Sequence, residues 1–147
     1  MSDDGNRNVV DRYVAALTAT DLDAFEATFH EDAEDFYPQS GERFRGPRNI
    51  RGVLENYPGQ AGGLRPAFER VIGGEERWVM SPSFTALRVA GSGEQFTTVG
   101  RVRYPNGEEW HVIHLLEVRQ GRIANVTSFF AGPFEAPDWR APFRHGT

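Results

Sequence analysis

Residues Gln95–Phe130 read QFTTVGRVRYPNGEEWHVIHLLEVRQGRIANVTSFF. Apolar and β-branched residues recur here with a period of two, and Asn106-Gly107 and Gln120-Gly121 interrupt the pattern as tight turns. Three antiparallel strands are therefore predicted, at Gln95–Tyr104, Glu108–Arg119 and Arg122–Phe130. A two-residue hairpin at Asn106-Gly107 sets Arg103 opposite Trp110, Arg101 opposite Val112 and Val99 opposite His114, all on one face. Val112, Leu116 and Val118 make that face the more apolar, so it is expected to point inward. His111, Ile113 and Leu115 then point outward, and their partly apolar character predicts a homodimer through the convex side of the sheet.

Upstream, Gly73-Gly74 and Gly91-Ser92-Gly93 delimit two more expected strands, Leu64–Ile72 and Glu76–Ala90, the second bulged at Pro82. Before them the period is helical. Val10, Tyr13, Val14 and Leu17 fall at i, i+3, i+4 and i+7, and Leu22, Phe25 and Phe29 continue a second short helix capped by Thr20 or Asp21. Ala33–Pro38 reads as extended, and a short strand follows around Phe44. Pro47 suits the first position of a third helix, with Ile50, Val53, Leu54 and Tyr57 on its apolar side. The last segment, 132–147, reads as a non-helical strap anchored by Phe134, Trp139 and Phe143, and residues 1–6 as a disordered tail. The expected fold is one α+β domain over 1–147, with three N-terminal helices packed in the concavity of a strongly curved, mostly antiparallel sheet.

Composition narrows the function classes. The 147 residues are one domain's worth, and 11 Phe, 4 Tyr and 3 Trp supply a core. With 0 Cys, neither disulfides nor thiolate chemistry is available. All 16 basic residues are Arg, which excludes a lysine Schiff base; the net charge is −5 and the arginines form no stripe, so no nucleic-acid partner is expected. No apolar run approaches the ~20 residues that span a bilayer, and Met1–Asn8 lacks the features of a secretion signal, so no membrane partner and a cytoplasmic location are expected. His111 and His114 are three apart and fall on opposite faces of a strand, which argues against a metal site. The glycines build neither a dinucleotide nor a phosphate loop, so no cofactor is indicated. Ser81, Ser83 and Ser128 have no nucleophile elbow around them.

Several stretches resemble one family: Val10-Asp11-Arg12-Tyr13, Asp21-Leu22-Asp23-Ala24-Phe25, Phe29-His30-Glu31-Asp32-Ala33, Phe44-Arg45-Gly46-Pro47 with Ile50, and Leu116-Glu117-Val118-Arg119-Gln120-Gly121-Arg122-Ile123. Together they are similar to the cone-shaped superfamily of nuclear transport factor two, within it the SnoaL-like polyketide cyclases and ketosteroid isomerases. The resemblance implies a small-molecule pocket inside the cone. Ketosteroid isomerases pair a carboxylate base with an oxyanion hole of a tyrosine and a protonated aspartic acid. Here Tyr13 matches that tyrosine, the base position falls near Tyr37 with Asp35 on the same strand face, and His114 stands in the acid's place.

The candidate catalytic residues are therefore His114, Asp35, Tyr13 and Tyr37, and the candidate substrate-binding residues are Val53, Tyr57, Val99, Arg101, Trp110, Val112 and Phe130. His114 either exchanges a proton with a substrate or is a buried histidine bonded to Tyr13 or Asp35. Of Arg101 and Arg103, one is expected at the mouth of the cone and the other against Asp35 or an anionic ligand, since an unpaired inward guanidinium is costly. Three readings follow: an isomerase or cyclase moving a proton on a small apolar or aromatic carbonyl compound; a ligand-binding or dimerisation module without turnover; and, third, water activation of the kind found in limonene epoxide hydrolases.

Overall fold

A computed structural model describes residues 3–56, 83–104 and 107–146. The strand expected at Leu64–Ile72, the bulge expected at Pro82, and Tyr57 lie outside the described residues. Helix α1 (Asp3–Ala19) buries Val9, Val10, Tyr13 and Ala16, the stripe that the 3.6-residue period demands. It begins inside the segment expected to be a disordered tail. Asn6 in its first turns is buried, donates to the Gly93 carbonyl and accepts from the Gly121 N–H, tying the helix to two hairpin turns.

Helix α1 ends on Thr20, which takes φ 55° while its N–H and that of Asp21 reach back to the carbonyls of Leu17 and Ala16. Asp21 then caps α2 (Leu22–Glu26) by accepting from the Ala24 N–H. Phe29, expected to continue this helix, instead opens β1 (Phe29–Tyr37), which pairs antiparallel with β2 (Glu42–Arg45). Gly46 at φ 88° makes the turn into α3 (Pro47–Glu55), with Pro47 at its first position as expected.

The remaining strands are β3 (Ser83–Ser92), β4 (Gln95–Arg103), β5 (Glu109–Arg119) and β6 (Arg122–Ala131). With β1 and β2 they form one six-stranded sheet in the order β2-β1-β6-β5-β4-β3. Every neighbouring pair is antiparallel except β1 and β6, which run parallel, so the sheet is mixed. α1, α2 and α3 cover its concave face, and Tyr13, Phe25, Phe29, Leu116, Ile123 and Val126 form the centre of the core. The sheet is bulged in β3 between Ala86 and Arg88, and between β5 and β6, where Ala124 is the extra residue.

One register differs from the expectation. Arg103 pairs with Glu109, Arg101 with His111, Val99 with Ile113 and Thr98 with His114, one residue away from the two-residue hairpin. The loop holds three residues instead: the Gly107 N–H donates to the Tyr104 carbonyl, the Tyr104 N–H donates to Glu108, and Gly107 has φ 90°. The reason is chemical: a two-residue hairpin at Asn106-Gly107 would be closed by the N–H of residue 105, and a proline has none. The slip inverts β4: Phe96, Thr98, Gly100 and Val102 are buried inward, while Arg101 and Arg103 are exposed outward beside Glu109. β5 keeps its expected face, with Val112, His114, Leu116 and Val118 buried.

The final segment also departs from expectation. It carries a 3-10 helix over Asp138–Phe143, and the supposed anchors Phe134, Trp139 and Phe143 are 79%, 71% and 83% exposed.

Candidate active site

Between the helices and the inner face of the sheet lies a cavity of about 450 Å3. Its walls are mostly apolar: Ala16, Leu17 and Phe25 from the first two helices, Ile50, Val53 and Leu54 from α3, and Phe84, Val102, Val112 and Phe130 from the sheet. This size and composition suit a small organic molecule.

Polar groups gather at one place in this wall. Asp35 on β1 is 6% exposed, and its carboxylate Oδ1 accepts a hydrogen bond of 2.7 Å from the Ser128 hydroxyl on β6. The Ser128 Oγ also lies 3.0 Å from Nδ1 of His114 on β5. Burial pushes the Asp35 carboxyl up to about 7, against the opposing pull of the Ser128 bond. Burial likewise holds the His114 imidazole down at about 4, so at neutral pH it is uncharged.

Two phenols complete the group. Tyr13 projects from α1 and meets the His114 ring edge-on at 5.7 Å; Tyr37 stacks between Phe44 and Phe130. Both are raised above the ordinary tyrosine range, first by burial and then by the negative charge of Asp35, so both remain hydroxyl donors. Such an arrangement can take up a proton at a carboxylate that is half-ionised near neutrality and can donate hydrogen bonds to an oxygen that gains charge.

Of the residues singled out from sequence, Tyr13, Asp35, Tyr37, Val53, Trp110, Val112, His114 and Phe130 line this cavity. Val99 and Arg101 do not, because the one-residue register change turns them to the outer face. For the same reason neither Arg101 nor Arg103 pairs with Asp35. Tyr57 lies outside the described residues. Sequence reasoning passed over Phe84 and Val102, whose inward position follows from the true register, and Ser128, which was weighed only as a nucleophile.

Comparisons with known proteins agree with this architecture. The model of the SnoaL-like domain family matches residues 10–126. No curated protein matches the chain in sequence. A solved NTF-2-like protein of unknown function from Burkholderia xenovorans is 27% identical, with a TM-score of 0.75 over 100% of this chain and 98% of its own. A candidate ketosteroid isomerase from Kribbella flavida is 20% identical with a TM-score of 0.75, covering 99% and 91%. An epoxide hydrolase of the LEH-like type from M. tuberculosis is 19% identical with a TM-score of 0.55, covering 88% and 84%. The last two share the fold and carry different names, so the fold does not select the chemistry. With its family model matched over most of its length and the same cone-shaped architecture in its structural neighbours, the chain belongs to the SnoaL-like family of the nuclear transport factor two fold.

Proposed function

We propose that the chain is an isomerase or cyclase that moves a proton on a small, mostly apolar carbonyl compound held in the cone. One observation carries this reading: a carboxyl that burial has brought to about 7 stands in the wall of an apolar cavity, with two tyrosine hydroxyls beside it. In the proposed reaction the Asp35 and His114 side of the cavity removes a proton from carbon next to the carbonyl. The C–H electron pair passes into an enolate, and Tyr13 or Tyr37 donates to its oxygen. The proton returns to a different carbon, or the enolate carbon attacks a second carbonyl and closes a ring, the carbonyl π pair passing to its oxygen, which takes up the proton. Val53, Trp110, Val112 and Phe130 shape the apolar remainder. No net oxidation occurs, so the step calls for no redox partner.

The outward face of β5 supports a homodimer as its setting, since Leu115 is 42% exposed with Ile113 half-buried beside it. The test is exchange of carbonyl-adjacent protons for deuterium, followed by NMR, across cyclic ketones and aromatic polyketide fragments. Exchange that the wild type accelerates and Asp35→Asn does not is the expected result. Tight binding of these compounds with no exchange in either protein would replace the enzyme reading with that of a binding module.

A further inference from the structure

The hydrogen bonds around Ser128 allow a count of protons that fixes more than their geometry. A serine hydroxyl has one proton to donate. When Asp35 is ionised it can only accept, so the Ser128 proton lies toward Oδ1, and the 3.0 Å contact to His114 must be donated by Nδ1. The imidazole is then the Nδ1–H tautomer. Nε2 carries a lone pair, makes no hydrogen bond among the described residues, and belongs to a side chain that lines the cavity. When Asp35 is protonated the order reverses: the carboxyl donates to Ser128, Ser128 donates to Nδ1, and the ring proton moves to Nε2.

We propose that Asp35, Ser128 and His114 form a proton wire in which Nε2 of His114 meets the ligand, Ser128 relays, and Asp35 stores the proton. This deepens the proposed function and rests on it only for the identity of the proton donor. In the forward step a ligand C–H or O–H bond breaks and Nε2–H forms. Nδ1–H breaks as Ser128 Oγ–H forms, and the original Ser128 proton passes to Asp35 Oδ1. Histidine and serine both end neutral, Asp35 has become the acid, and the negative charge has moved to the ligand.

The wire reconciles two facts that a single base does not. The imidazole is too deeply buried to become a cation near neutrality, and in the wire it never does. The carboxyl has the proton affinity needed but is occupied by Ser128 on Oδ1. Among the described residues, Asp35 is faced by Tyr13 from α1, Tyr37 on its own strand, Ser128 from β6 and His114 from β5, Glu42 and Tyr104 also line the cavity, and α3 contributes only Ile50, Val53 and Leu54 to it. Among the described residues no cation contributes to its shift. The wire also sets the ligand class. An oxygen that accepts from Tyr13 or Tyr37 must be accompanied by an acidic C–H or a hydroxyl directed at Nε2, as in enolisable or hydroxylated ketones.

The experiment is 15N NMR of the full chain labelled at histidine, from about pH 5 to about pH 9. His114 is assigned against His30, His111 and His145 by its loss in His114→Gln. The lone pair is expected on Nε2 at high pH and on Nδ1 at low pH, exchanging near the Asp35 value without an imidazolium. Ser128→Ala abolishes the exchange, and Ser128→Thr, which keeps the hydroxyl, retains it. On any compound that shows turnover, Ser128→Ala lowers kcat roughly a hundredfold with KM little changed. A proton on the same nitrogen throughout, or an imidazolium forming near pH 7, overturns the wire. Tautomer exchange without turnover of any carbonyl compound would leave the wire standing and remove the enzyme reading; turnover without it would do the opposite.

Discussion

Glu34 and Asp35 are neighbours on one strand and live under opposite electrostatics. Glu34 faces out, where Arg43 and Arg45 both bond its carboxylate and hold it below the usual range. Asp35 faces in, bonded by the Ser128 hydroxyl, and is raised to about 7. A strand alternates its side chains between two media, so a single step along the backbone separates an ion pair in water from a proton store in an apolar cavity. The outer pair belongs to solubility and surface order, and the inner carboxyl to the chemistry proposed above.

The largest expected effect comes from abolishing the contrast. Asp35→Asn should reduce turnover by ~100-fold to 10,000-fold. It should also stabilise the protein at pH 8, because the fold no longer holds an ionised carboxyl out of water. A rise from 3.8 to about 7 corresponds to at most about 4 kcal/mol. Denaturant melts at pH 8 check this, and an Asn variant less stable than wild type there would show that Asp35 is structural.

A second test uses pH alone. Asp35 binds its proton more tightly in the fold, so its contribution to stability falls as pH rises from 3.8 to about 7. His114 binds its proton less tightly in the fold, so its contribution falls as pH drops from 6.5 to about 4. Between about 4 and 6.5 the two slopes, each about 1.4 kcal/mol per pH unit, nearly cancel. His114→Gln should expose a fall in stability with rising pH, and Asp35→Asn a fall with dropping pH. Equal slopes in the two variants would break the assignment.

A smaller effect is expected at Gly100, where an added Cβ would sit 2.3 Å from the Phe84 ring. Gly100→Ala should drive that ring into the cavity, costing about 1–3 kcal/mol of stability and weakening ligand binding. Calorimetry with any ligand found would show it. Smallest is Glu34→Gln, whose exposed ion pairs are screened by salt; melts of this variant should track the wild type, and more closely still at high ionic strength.

How much of this was legible in the residues differs by element. The periods of α1 and β5 suffice to bury Tyr13 and His114, because packing on one face leaves a strand or helix no other orientation. β4 was inverted by reading Asn106-Gly107 as a two-residue turn while Pro105 argued for three. Ser128 was unreadable for a related reason. Counting back from Gln120-Gly121 sets Thr127 opposite His114, and only the extra residue at Ala124 brings Ser128 there. Phe134, Trp139 and Phe143 resemble core anchors in composition, yet nothing in the chain's pattern says which surface they meet.

The bulge at Ala124 has a consequence for descent. Upstream of it, β5 and β6 pair as their turn dictates; beyond it, every side chain of β6 faces the opposite way from what the turn alone would give. Loss of the Ala124 codon would remove the bulge and leave this lining as it is: Asn125 would follow Ile123 and pair with Glu117 as it does now, so Ser128 stays opposite His114 and Phe130 opposite Val112. A gene for this chain can thus change length at this point without respelling its cavity, a route by which near relatives come to differ by one residue and keep one inner face.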